Sequence, residues 1–583
     1  MSGLIAICVR DSATTIDLRG ILERCARRLA PDNISPRPPS VVVSPGLGLL
    51  VTNPPRGLLL DTRGVCLGAV HGPVGSWSTV RCPAPDGSYV ILRHDERALE
   101  SITDAVASRT LWYAHTDRLF LASTSQRAIV SLLGSFSPDP EAVTWMVTSG
   151  TLGPTASWDS RIRRLPGSAS LRLDRRSWTL DLACEPATRE PADRDDDDHI
   201  AVLGATLLDA CAGLGVDLAD WVLPLSGGMD SRALLLALLE ADRRPRCVTW
   251  GLREAVTDPA NDAAVARELA AVTGVEHRYY PTDHSDEEVG QVLGRFLVAG
   301  EGRTDNFAGY TDGLAMWKRL HEEGVAGVIR GDEPGWGYWA YHAEGFARRR
   351  THLVVLEDYP SSHLIHRLGL SALPVPPDLR HRDDETLTTY RDRIYETFSL
   401  PTFFAALNDV KTPYVEIANP FLSHRVVEVV RSLPDHLREH RRAFATFVQA
   451  YGPRLRFATK AAPAEPTGYL ARRDLLDEIR RELGSDRAEK VLAKQALDRL
   501  VAALERSPAL DARRRLREAA RAAIPNALAR RLRPNVAPSL SVRELAFRVY
   551  IASRMVSLLE RDGAVSTDLW RAGAEPGGLS CPA

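Results

Sequence analysis

Chemistry is most directly suggested by Ser226-Gly227-Gly228-Met229-Asp230-Ser231. Two adjacent glycines let the backbone turn tightly and present N–H groups with no Cβ in the way. Ser226 and Ser231 add hydroxyl donors, Leu225 leads in from an apolar stretch, and a helical pattern follows. A phosphate or pyrophosphate there would meet the positive end of a helix dipole. Asp230 alone would repel such a ligand; a magnesium ion shared between its carboxylate and phosphate oxygens removes the conflict. No Gly-Lys-Ser/Thr follows, so this is not a Walker loop. Taken in isolation, the same residues would also make a capped turn.

A second acidic site, Asp332-Glu333, follows Gly331 and the apolar stretch 327–330. In an open parallel sheet the carboxyl ends of the strands lie along one edge, where ligands bind. Asp230 and Asp332 on that edge could share magnesium with bound phosphates, and a solvated acidic pair is the alternative. The elements needed to place them there are legible. Residues 221–225, 247–251, 277–280 and 327–330 read as buried strands, and 232–241, 262–273 and 312–323 as helices between them. Asn261 caps the second helix and Gly274 ends it; Gly324 ends the third. That alternation predicts a parallel sheet with helices on both faces. Before it, the first ~185 residues read as short strands and turns, with strands at 40–43, 58–60, 89–92, 119–122 and 168–173. Residues 186–199, with Pro186, Pro191 and the acids 195–198, read as a solvated linker. Beyond about 350 the chain is mostly helical and Arg-rich, and 571–583 reads as a disordered tail.

From these residues onward the chain resembles a family, the ATP pyrophosphatases, and within it the asparagine-synthetase branch. The loop 226–231 resembles their pyrophosphate loop. Val248-Thr249-Trp250-Gly251-Leu252 resembles the second strand, which lies against adenine, and Gly274 to Tyr280 the next helix-to-strand segment. Gly331-Asp332-Glu333-Pro334-Gly335-Trp336-Gly337-Tyr338 is similar to the loop holding the second metal ligand, and 416–425 to an Arg-Val-Pro-Phe-Leu-Asp stretch. The resemblance implies ATP and Mg2+ as cofactors, with Leu225, Ser226, Gly227, Gly228, Asp230, Ser231, Trp250 and Gly331 around the nucleotide. It assigns the metal to Asp230 and Asp332. The loop is shorter before Asp332 than the family's, which leaves Glu333 as a substitute ligand and a candidate catalytic residue. Lys460, in a chain where lysine is scarce, resembles the family's catalytic lysine, whose charge stabilises acyl transfer; a surface lysine is the alternative.

The first part of the chain resembles the glutaminase domain of the same branch, through 108–113, 119–124 and Arg163-Arg164-Leu165-Pro166-Gly167. Such a glutaminase needs an N-terminal cysteine, and here Ser2 and Gly3 follow Met1, with no Asn-Gly-Glu segment. The implied fold is α/β: a degenerate Ntn-type α+β domain (1–185), then a doubly wound parallel-sheet domain (200–570). Without a glutaminase to release ammonia, the amine must arrive with the substrate. Ala308-Gly309-Tyr310-Thr311-Asp312-Gly313 and 328–333 resemble lasso-peptide cyclases, which join a peptide's N-terminal amine to an Asp or Glu side chain. That resemblance implies a precursor core peptide as substrate, with a leader peptidase and a leader-binding protein as partners. Closure of a small molecule in the manner of β-lactam synthetase, ammonia-dependent asparagine synthesis, and a nucleotide-binding scaffold without chemistry are the alternatives. The aromatics within 336–342 would line a peptide channel or fill a core. The basic run 513–533 reads as a solvated face.

Composition agrees with these expectations. At 583 residues the chain exceeds one hydrophobic core. A net charge of −2 gives no case for nucleic acid. Eight cysteines without a Cys-x-x-Cys pair fit a reducing cytoplasm. Arg10, Asp11 and Asp17 interrupt the first apolar stretch, so no secretory leader or membrane span is expected.

Overall fold

The computed structural model describes residues 3–10, 16–335, 337, 343–359, 362–370, 373–463, 466–506, 540–564 and 570. Ser2, most of 336–342, the basic run 513–533 and the tail 571–583 lie outside the described residues.

Two antiparallel sheets open the chain. Their strands are β1 Gly3–Val9, β2 Ser40–Ser44, β3 Leu47–Thr52, β4 Leu59–Asp61, β5 Gly64–His71 and β6 Asp86–His94. They continue as β7 Ala98–Thr103, β8 Trp112–His115, β9 Leu119–Ser123, β10 Arg163–Arg164, β11 Ala169–Asp174 and β12 Thr179–Cys184. One sheet runs β10-β8-β9-β1-β3-β2 and the other β12-β11-β7-β6-β5-β4. The two-residue period of a strand decides what packs where. In β1, Leu4, Ala6 and Cys8 enter the core between the sheets, whereas Ile5 and Ile7 enter the core beneath the helices. That helical layer begins with Leu18–Leu29, whose Leu18, Ile21, Leu22, Cys25 and Leu29 form one buried stripe.

The acidic run at 195–198 is exposed at 195, 197 and 198, as a solvated segment is, and it also starts a helix. Asp195 accepts a hydrogen bond from Asp198 N at 2.8 Å and caps the helix Asp196–Ala212. The acids of its first turn sit at the positive end of the dipole. Upstream, Arg189 is buried and 2.7 Å from Glu396, so this stretch is docked.

A five-stranded, fully parallel sheet follows: β13 Trp221–Pro224, β14 Arg246–Gly251, β15 His277–Pro281, β16 Gly327–Ile329 and β17 Glu416–Ala418. Its order is β15-β14-β13-β16-β17. Val222, Val248, Val328 and Ile417 enter one core; Leu223, Cys247, Ile329 and Ala418 enter another on the opposite face. The helix Met229–Glu240 follows β13 and Asp262–Thr273 follows β14. Asn261 caps the latter by accepting from Ala263 N, and Gly274 ends it at φ 68°. The helix expected from Asp312 begins instead at Ala315. Asp312 accepts from Leu314 N and Met316 N, while Gly313 and Leu314 are left-handed, which holds the helix off until then. Strand order reverses between β13 and β16, and that reversal opens a crevice at their carboxyl ends. Later, the helix Val542–Ala564 returns to pack on Gln126–Leu133 and Pro140–Ser149, with Arg127 2.7 Å from Asp562. No helix among the described residues is long and apolar enough to cross a membrane.

Candidate functional site

β13 delivers the loop 226–231 to the crevice. Leu225 N donates to Val248 O at 2.8 Å, prolonging the β13–β14 pairing by one residue. Ser226 N then donates to Ser231 Oγ at 3.0 Å, Gly228 N to Ser226 Oγ at 3.1 Å, and Gly227 N to Asp262 Oδ1 at 3.0 Å. The two glycine N–H groups expected to face an anion, and that of Ser226, therefore donate to protein oxygens, as buried backbone donors must pair. The glycine requirement is steric at Gly227, where a Cβ would lie 2.4 Å from Ala458 Cβ and 2.9 Å from Val265 Cβ.

A cavity of about 290 Å³ opens beside this loop. Leu225, Ser226, Asp230, Ser231, Trp250, Gly331 and Asp332 line it, together with Thr249, Asp262, Arg330, Ala462 and Pro463, which sequence reasoning did not foresee as lining. Trp250 is fixed edge-on against Trp317, with centroids 5.2 Å apart. Thr249 Oγ1 donates to Leu225 O at 2.5 Å and lies 2.8 Å from His277 Nε2, which ties three strands together below the cavity. Gly227 and Gly228 form the body of the loop, and Glu333 and Lys460 also lie off the wall. A larger cavity, about 590 Å³, lies between the β6–β7–β11 sheet and the start of the helix His424–Arg431. Four of its charged groups pair with one another, Glu100 with Arg93 at 2.7 Å and Asp86 with Arg425 at 2.9 Å.

Three acids gather near the smaller cavity, each beside an arginine. Arg330 clamps Asp332 through Nη2 at 2.7 Å and Nε at 3.0 Å. The Asn419 amide, turned to donate, reaches Asp332 Oδ2 at 3.2 Å. Burial works against the charge on Asp332, yet Arg330, with Lys411 and Asn408, holds its carboxyl below the usual range. Asp230 is different: burial pushes it up to about 6, against Arg441 and with help from Glu333 and Asp332. Arg441 Nη2 lies 2.7 Å from Asp230 Oδ1 and 3.2 Å from Glu333 Oε2. Glu333 is buried, 3.7 Å from Arg391, and neither of its oxygens has a hydrogen-bond donor among the described residues. No group of three or more His, Cys, Asp or Glu side chains suited to a metal occurs among the described residues. Two carboxylates with phosphate oxygens completing the shell are the usual magnesium arrangement, and the acids here fit it.

The segment 458–462 crosses the loop. Ala458 N donates to Gly227 O at 3.0 Å, Asp262 N to Lys460 O at 2.9 Å, and Leu252 N to Ala462 O at 2.9 Å. The backbone of Lys460 is thus fixed at the site, while its exposed side chain pairs with Asp258 at 2.6 Å.

Sequence reasoning missed Arg441, Arg330 and Asp262. Asp262 had a signal, as the first helical residue after the capping Asn261 in the connection that follows β14. Arg441 had none; it stands among His440, Arg441 and Arg442 with nothing to mark it. His440 and Arg441 are consecutive left-handed residues, at φ 53° and 58°, a conformation costing roughly 1–3 kcal/mol per residue.

No family model and no curated protein matches the chain. Among solved structures, the glutamine phosphoribosylpyrophosphate amidotransferase from B. subtilis, complexed with ADP and GMP, aligns at 11% identity over 48% of this chain and 82% of that chain. Its TM-score is 0.20, and a likeness at that level carries no argument about fold or activity.

Proposed function

We propose that this chain is an ATP-dependent amide-forming enzyme that closes a lasso-type macrolactam. It adenylates an Asp or Glu side chain of a core peptide, and the peptide's N-terminal amine attacks, releasing AMP; pyrophosphate leaves in the first step. One observation carries the reading. The Ser-Gly-Gly loop, three acids and the Lys460 segment, far apart in sequence, meet around one crevice at the carboxyl ends of parallel strands.

Ser226 and Ser231 would hold phosphate oxygens through their hydroxyls, and Trp250 would wall the adenine. Magnesium would be held by Asp230 with Asp332 or Glu333, and when bound it neutralises phosphate charge. Lys460 must exchange Asp258 for the crevice; because its backbone is anchored on both sides, only the side chain has to swing. Its ammonium then stabilises charge developing at the acyl centre. The attacking α-amine has a pKa of about 8, so a useful free-base fraction exists at neutral pH without a strong base from the protein. A leader peptidase and a leader-binding protein are the partners this chemistry calls for.

The test is a leader-free peptide with a free amine and an internal Asp or Glu. Expected is a product lighter by one water, with AMP formed in step, and no water loss from the N-acetylated peptide. If no such peptide is dehydrated while a small β-amino acid is, the small-molecule cyclase reading replaces this one.

A further inference from the structure

Asp230 and Glu333 come from different strand ends, yet they converge on a single atom, Arg441 Nη2, at 2.7 and 3.2 Å. Two carboxylates aimed at one positive centre describe a cation position. Glu333 strengthens the description, since it is buried at 4% exposure and its oxygens lack hydrogen-bond donors among the described residues. Asp332, the acid that the sequence pattern favours as second ligand, is occupied by two Arg330 nitrogens and the Asn419 amide. Arg441 reaches the acid pair from a turn in which it and His440 are both left-handed. The short helix Asp435–Arg438 that leads into this turn packs closely on the acidic loop: a Cβ at Gly337 would lie 2.6 Å from Arg438 O.

We propose that Arg441 and a divalent cation compete for the Asp230–Glu333 pair, and that metal entry turns the Arg441 guanidinium onto the phosphate groups arriving with the metal. The second half rests on the nucleotide reading above; the first half does not. Arginine suits both positions, because its planar fork matches carboxylate and phosphate alike.

The competition predicts effects of opposite sign. Free Mn2+ is followed by electron paramagnetic resonance in titrations of the full chain. Without nucleotide, Arg441→Met should bind Mn2+ about tenfold more tightly than wild type, because the competing charge is gone. Adding Glu333→Gln to that variant should abolish the gain. With inorganic pyrophosphate present, Arg441→Met should bind the metal–pyrophosphate pair about tenfold more weakly. Arg441→Gln serves as the second arm should the Met variant not fold, with the same pattern expected. A purely structural arginine would weaken both affinities; that result, or unchanged Mn2+ binding, overturns the proposal. Wild-type protein that binds Mn2+ as described but neither pyrophosphate nor ATP would overturn the phosphate half and the nucleotide reading together, leaving the competition standing.

Discussion

Asp230 lies 2.7 Å from a guanidinium nitrogen and still has its pKa raised to about 6, because burial, with Glu333 and Asp332 nearby, outweighs Arg441. An unfolded aspartate titrates near 3.9, or about 4. Between those values the folded state binds the proton more tightly, so this group's contribution to stability is present below about pH 4 and lost as pH rises through about 6. Asp230→Asn should therefore be at least as stable as wild type near about pH 7.5, with the advantage shrinking near about pH 4.5; denaturant melts at both values check it. The same variant should lose substrate-dependent AMP formation by orders of magnitude. Glu333→Gln should cost more than Asp332→Asn in that assay if the acid pair at Arg441 holds the metal. In wild type, metal-dependent AMP formation should fall as pH drops below about 6 and Asp230 takes up its proton. A flat profile across that range would remove Asp230 from the metal.

At the scale of elements, the site depends on how closely the 458–462 segment lies on β14 and the loop. A Cβ at Gly251 would lie 2.4 Å from Ala462 O, which is backbone and cannot rotate away. Gly251→Ala should lift that segment, costing about 1–3 kcal/mol of stability by overpacking, and lowering turnover further than the stability loss explains. Lys460→Ala should leave the fold and nucleotide binding intact and cost about a hundredfold in turnover, roughly 3 kcal/mol. Calorimetric nucleotide titration beside single-turnover assays separates the two variants. Much of this framework was legible. β13, β14 and β16 are largely buried and so appear as short apolar runs, and Asp262–Thr273 announced both ends through Asn261 and Gly274. β1 was not, because charged residues at 10 and 11 made its apolar run look like a broken leader. Nor was the pairing of Lys460 with Asp258 or of Arg441 with Asp230, since long side chains choose partners by tertiary geometry, which local patterns do not encode.

Across the whole molecule, the first two sheets hold the parallel sheet in place through buried polar contacts. Arg109 lies 3.2 Å from Glu416 of β17, with both side chains almost fully buried, and Ser88 Oγ accepts from Asn419 N at 3.0 Å. Asn419 in turn reaches Asp332, so the antiparallel sheets touch the crevice at one remove. Arg109→Ala would leave Glu416 charged in the interior and should cost about 3–5 kcal/mol, measured by denaturant unfolding. Nucleotide affinity should fall with it, whereas an exposed pair such as Arg172–Asp181 should change neither. The helix Val542–Ala564 covers Gln126–Leu133 and Pro140–Ser149, and Arg127 and Asp562 are 435 residues apart in sequence. A ribosome adding about 5–20 residues per second needs roughly 20 to 90 s to cover that interval. For that long the face of Gln126–Leu133 that meets this helix is outside the exit tunnel without it, and is open to a chaperone.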